Sequence, residues 1–250
     1  MAKSTLPGQA LVIFAVLLAA TLLWAGDKPW IGKPYQNWDA KDVQQIMTHS
    51  PWVATTTVRR SWLSSRKDTV VQPVQPEISG GVRTGPGVMG TVPSNTGGTN
   101  GESAPQVNVY LFWYSSRVIR AASAREAVLR GATDRLAAEK LIDAPEAEYQ
   151  IVLKMDDMTP FMEKHESFYQ QNAFLEMRRS KLKLPPSKVQ YERLGTTSED
   201  VVFFFPKTAD GAPTIAGDET DVEFSCKIAD QTLRADFKPK KMVDQFGPDL

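Results

Sequence analysis

From Ala10 to Ala25 the chain reads ALVIFAVLLAATLLWA, an apolar run without a polar stripe, and Lys3 is the only charge ahead of it. A short positive end followed by an apolar stretch is the layout of a secretory signal. The run is also borderline for crossing a bilayer, which takes roughly 20 residues. Signal peptidase requires small residues three and one positions before the cut. A cut after Ala25 puts Leu23 at the upstream position and a cut after Gly26 puts Trp24 there, so neither fits well. Trp24 and Trp30 flank the end of the run, where indoles favour the membrane–water interface. The pattern predicts export, with residues 1–26 acting as a cleaved signal peptide or a retained N-terminal anchor.

The next patterned stretch, 27–63, holds Trp30, Trp38, Trp52 and Trp62. Asp39 is a helix N-cap there, with Trp38 stapled on Val43 and Val43, Ile46 and Met47 forming a short apolar face. Ser50-Pro51 ends that helix, because a residue before proline avoids the helical region. Val53 to Arg60 is β-branched and reads as a strand. These tryptophans form a staple and a minor core; Trp30, Trp38 and Trp52 as a stacking platform for sugar or peptide are the functional alternative.

Residues 64–106 are crowded with Gly, Pro, Ser and Thr, which predicts a flexible insert. Its glycines lack the Lys-Ser/Thr of a phosphate loop. From 107 to 250 the pattern becomes that of a folded domain. Val107, Val109, Leu111 and Trp113 face one way and Tyr110, Phe112 and Tyr114 the other, as in a central strand covered on both sides. A helical stretch, Val118 to Ile142, is divided at Gly131. Tyr149 to Met155 alternates as a strand. Thr159 then caps a helix with Pro160 at its first position, and that helix is expected to run towards Arg179. Four more strands are expected at Val189–Leu194, Val201–Phe205, Val222–Ile228 and Thr232–Phe237, the last two forming a hairpin across Ala229-Asp230. The class is α+β: a mainly antiparallel sheet of about five to seven strands, two or three helices, and an N-terminal apolar helix before them.

Charge and composition narrow the partners. The 250 residues carry 29 basic and 29 acidic side chains, and no Lys/Arg cluster makes the basic face that nucleic acid requires. A mean hydropathy of −0.30 excludes a polytopic membrane protein. The single Cys226 cannot form a disulfide within the chain. It lies on the apolar side of its strand, as a small core hydrophobe.

Lys33-Pro34-Tyr35 with Trp38, Ser50-Pro51-Trp52, the glycine-rich insert, Ser115-Ser116-Arg117 through Arg125-Glu126-Ala127, and Asp221-Val222-Glu223-Phe224 together resemble a group of uncharacterised exported bacterial proteins. The resemblance implies export and a shared fold. It brings no activity, so no functional residue is transferred.

Candidate chemistry is sparse. His49 sits at a helix end, where a partial positive charge is favoured. His165 lies near Glu163, Glu166 and Asp156-Asp157, types from which a metal or acid–base centre is built. Its spacing to Phe161 and Phe168 predicts a half-buried slot on the apolar face instead. Asp156-Asp157 precedes a helix start, where carboxylates favour the dipole. Asp210, Asp218, Glu219, Asp221 and Glu223 offer oxygen ligands for calcium without the spacing of its helix–loop–helix motif, and read as a solvated acidic loop. There is no Gly-x-Ser-x-Gly, and no histidine follows His165. No catalytic, cofactor or metal residue is therefore assigned. The expected protein is a non-enzymatic, periplasmic or inner-membrane-tethered module that binds an envelope protein or polymer. A carboxylate-dependent hydrolase using Asp156, Asp157 or Glu166 is the rival, and a sugar-binding module the third reading.

Overall fold

The structure, a computed structural model, describes residues 28–62, 105–194 and 197–250. The expected apolar helix at 10–25, and the insert apart from its last two residues, lie outside the described residues. Among the described residues no helix is long and apolar enough to cross a membrane.

The fold is α+β with mostly antiparallel sheets. Helices α1 (Pro29–Gly32) and α2 (Ala40–His49) lead into strand β1 (Val53–Arg59). After the insert come β2 (Gln106–Trp113), α3 (Arg117–Leu129), α4 (Arg135–Asp143), β3 (Glu148–Met155), α5 (Thr159–Glu163), α6 (Glu166–Asn172) and β4 (Ala173–Met177). The rest of the chain is β5 (Lys183–Leu184), β6 (Lys188–Leu194), β7 (Thr197–Pro206), β8 (Thr208–Ala209), β9 (Ala212–Pro213), β10 (Val222–Ile228), β11 (Gln231–Phe237), β12 (Val243–Asp244) and β13 (Gly247–Pro248). One sheet has the order β1-β2-β3-β7-β6 and a second β11-β10-β4-β5. Among the described residues the expected single sheet is thus two larger sheets and two short two-stranded ones, β8-β9 and β12-β13, and the α-helices number six rather than two or three.

Local signals explain most element ends. Asp39 and Asp42 form a reciprocal capping box at α2, satisfying two amides that a helix start leaves open. Gly131, at φ +71°, separates α3 from α4, a conformation that costs a side-chain-bearing residue more. The β10–β11 hairpin closes with Ile228 opposite Gln231, as its alternation predicted.

The helix expected from Thr159 towards Arg179 is corrected. It breaks after Glu163, restarts at Glu166, and gives way to β4 at Ala173. Pairing of β4 with β10 sets Ala173, Leu175 and Met177 opposite Cys226, Phe224 and Val222, all of them buried. A helix there would leave β10 without its second partner, so tertiary pairing overrides local propensity. Met158, not Thr159, occupies the cap position.

The two sheets face each other across one core. Phe224 meets Phe203 at 5.0 Å and Phe205 at 6.4 Å, while Trp113 meets Phe237 at 5.2 Å, all edge to face. Such aromatic pairs add about 0.5–1.5 kcal/mol beyond burial alone. At one side β1 lies beside β11: Gln231 Oε1 accepts from the Arg59 amide at 3.0 Å and its Nε2 donates to the Arg59 carbonyl. β1 is therefore the edge strand of the main sheet, and the tryptophan-rich segment belongs to the same core.

The C-terminal segment folds back over the start of α3. The Asp249 carboxylate accepts from the amides of Arg117 (2.8 Å) and Val118 (3.0 Å), and its carbonyl accepts from Trp52 Nε1 at 2.6 Å. Asp244 holds the Arg117 guanidinium at 2.9 and 2.6 Å.

Candidate functional site

The outward side of the five-stranded sheet forms a groove, and strand register dictates its floor. Phe112 lies opposite Val152, and Val152 opposite Val202. The next row sets Gln150 beside Phe204 and Phe204 beside Lys188, whose ammonium sits 5.2 Å from the ring centre. On the other flank Lys154 pairs with Asp200 at 2.8 Å, and Asp200 faces Glu192 on β6.

Helices α2 and α3 wall this floor. Two depressions of about 690 and 330 Å³ share Met47, Phe112, Glu126, Arg130 and Lys154, so they are sections of one groove. The wall from α3 adds a second ion pair, Arg130–Glu126 at 2.6 Å. Both pairs are partly exposed, which limits each to less than about 1 kcal/mol of stability but leaves charges of both signs at the rim. Burial pushes the Tyr114 phenol up from its ordinary pKa, the Glu192 charge adds to this, and a hydrogen bond with Ser123 opposes it. Tyr114 therefore stays a neutral donor and acceptor at the groove.

The chain matches no protein-family model, no curated protein and no solved structure.

None of the candidate catalytic, metal-ligating or stacking residues singled out in the sequence lines this groove, although Met47, Phe112 and Tyr114, read there only as apolar faces, do. Asp157 is fully engaged elsewhere. It accepts from Arg60 Nε (2.6 Å), Trp62 Nε1 (3.0 Å), and both the amide (3.0 Å) and hydroxyl (2.6 Å) of Thr159. Burial acts to raise its pKa, but these donors outweigh burial and lower it to about 2. A carboxylate so stabilised is a poor proton acceptor. Asp156 accepts from Asn108 at 2.7 Å.

His165 is exposed at the cap position of α6 rather than half-buried between Phe161 and Phe168. The break at Lys164 turns it off the apolar side. Phe161 is buried against Tyr169 instead, at 4.5 Å. Glu163 ends α5 and Glu166 begins α6. His49 sits in the last turn of α2, beside the Thr48 hydroxyl at 2.5 Å.

The acidic run is the expected solvated loop only in part: Asp210 and Asp218 are exposed and Asp221 is half-buried, but Glu219 and Glu223 are buried. Glu219 accepts from the Arg179 amide at 3.0 Å, Arg178 pairs with Glu223, and Arg179 pairs with Asp218. Asp221 lies 3.9 Å from Lys238, and Asp210 adopts a positive φ in the β8–β9 turn. Basic side chains just after β4 therefore neutralise what calcium would have needed. Among the described residues no group of three His, Cys, Asp or Glu is placed to hold a metal ion.

Cys226 is fully buried, and desolvation pushes its thiol far up, away from nucleophilic use. Trp30, Trp38, Trp52 and Trp62 are buried too. Trp30 and Trp52 meet at right angles, 5.8 Å apart, so these rings are core and offer no flat stacking platform.

The groove as a whole escaped sequence reading because its lining comes from six elements, α2, β2, α3, β3, β6 and β7. The one available signal was that Phe112, Val152 and Val202 are apolar on the side of each strand opposite the main core.

Proposed function

We propose that this chain is a non-enzymatic cell-envelope module, exported and either released or tethered by residues 10–25, whose domain binds a polypeptide segment in the sheet-face groove. The carrying observation is the groove itself: an apolar floor of Phe112, Val152, Val202 and Phe204, rimmed by the pairs Lys154–Asp200 and Arg130–Glu126. Apolar side chains of a partner lose water on that floor, while backbone amides and charges of either sign find partners at the rim. The export reading rests on the N-terminal pattern and on the resemblance to exported bacterial proteins. Among the described residues no histidine or thiol lines the groove, which favours binding over hydrolysis, and Asp157's engagement weighs against the Asp156-Asp157 pair.

The test places a photo-crosslinking amino acid at Met47 of the full-length protein in its native cells. Adducts are identified by mass spectrometry, and the same position is probed in a Phe204→Lys background. A discrete polypeptide adduct that Phe204→Lys abolishes supports the reading. An adduct indifferent to Phe204→Lys, or none at all, overturns it.

A further inference from the structure

Seven large apolar side chains are exposed among the described residues, and four of them, Ile31, Leu136, Leu141 and Phe246, belong to α1, α4 and the turn between β12 and β13. These three elements are neighbours. Trp30, Tyr35, Ile142 and Phe246 line one small cleft, and burial together with the Glu139 charge on α4 raises the Tyr35 phenol above its ordinary pKa. Along α4, Ala138 and Ile142 turn inward, so Leu136, Lys140 and Leu141 occupy the outer side. Arg117 stacks on the Phe246 ring at 4.6 Å, holding an otherwise exposed aromatic in place.

We propose that this surface lies against the lipid bilayer, resting on the reading above that residues 10–25 stay in the membrane. The apolar run ends at Ala25 and α1 begins at Pro29. Extended chain covers at most about 3.6 Å per residue, so the connection holds α1 within roughly 15 Å of the membrane interface. Of all faces of the domain, the one carrying α1 cannot leave that neighbourhood. Charges around it are nearly balanced, with Lys28, Arg117, Arg135 and Lys140 set against Glu139, Asp143 and Asp244. Contact therefore comes from apolar side chains entering the interfacial zone, as amphipathic surfaces do, rather than from attraction to anionic headgroups. Clustered exposed apolar groups on one side of a domain are otherwise a liability in water.

The experiment uses the full-length protein in phosphatidylcholine vesicles with brominated acyl chains. Single cysteines introduced at Ile31, Leu136 or Phe246, with Asp210 as control, carry a fluorophore; Cys226 is fully buried and stays unlabelled in the folded protein. At the three apolar sites, bromine is expected to quench fluorescence at least twofold, with little quenching at Asp210. Adding Leu141→Glu is expected to reduce quenching at Phe246 while the protein still floats with the vesicles. A protein that floats, but whose three sites quench no more than Asp210, overturns the surface and leaves the tether standing. A protein that does not float overturns the tether and the surface with it.

Discussion

Replacing Asp157 by alanine removes the acceptor that joins the end of β1 to the start of α5, and its effect depends on pH in a calculable way. With a pKa lowered from 3.8 to about 2, the folded state holds the ionised carboxylate more tightly than the unfolded chain does. A shift of nearly two units at 1.36 kcal/mol per unit is worth about 2.4 kcal/mol. Only 11% of that side chain is exposed, so solvent screening removes little of it. A folded pKa below the unfolded value gives stability that is fully present above pH 3.8 and lost as pH falls through about 2. The uncharged part of the loss, chiefly Trp62 Nε1 left without an acceptor, adds about 1 kcal/mol at any pH. Asp157→Ala is therefore expected to cost about 3 kcal/mol at pH 7 and about 1 kcal/mol near pH 2. The assay is urea unfolding of both proteins, followed by tryptophan fluorescence from pH 7 down to the lowest pH at which both fold. A difference that stays constant between pH 5 and pH 3 would refute the assignment of Asp157 as an ionised structural acceptor.

Three further outcomes follow from the same structure. Arg178→Ala leaves the buried Glu223 carboxylate facing Glu176 across the strand pair, and a loss of about 3 kcal/mol in chemical denaturation is expected; a loss under 0.5 kcal/mol contradicts the pairing. Asp249 carries a pKa raised chiefly by burial, against the lowering effect of the Val118 and Arg117 amides, so its ionisation costs stability as pH climbs through that raised value. Asp249→Asn should therefore gain on the wild type as pH rises from about 4 to 7 in thermal melts, and a variant that loses ground to the wild type over that range would reverse the sign. Cys226 should resist iodoacetamide in the native protein and react only at the rate of global unfolding, read by mass spectrometry in increasing urea; alkylation without denaturant contradicts its burial.

Legibility in the sequence followed the range of the interaction. The Asp39 cap, the break at Gly131, the two-sided β2 and the β10–β11 hairpin are each set by residues within a few positions of one another. Backbone sterics, capping and pleat alternation act over that distance, so the letters alone carried them. Cys226 facing the core was legible for the same reason. What the tertiary structure decided were contacts between distant segments. Ala173–Met177 has no strong local preference for a strand, and becomes β4 because β10 requires a second edge partner. His165 is exposed because the chain breaks at Lys164, which the Phe161–Phe168 spacing did not announce. Glu219 and Glu223 are buried because arginines some forty positions earlier meet them, and the groove exists only once Met47, Phe112, Arg130, Val152 and Val202 converge. The sequence by itself determined local geometry and which faces are apolar. Which apolar faces meet, and which one remains open for a partner, was decided by long-range pairing, because burial energy depends on the neighbour found and not on the residue alone.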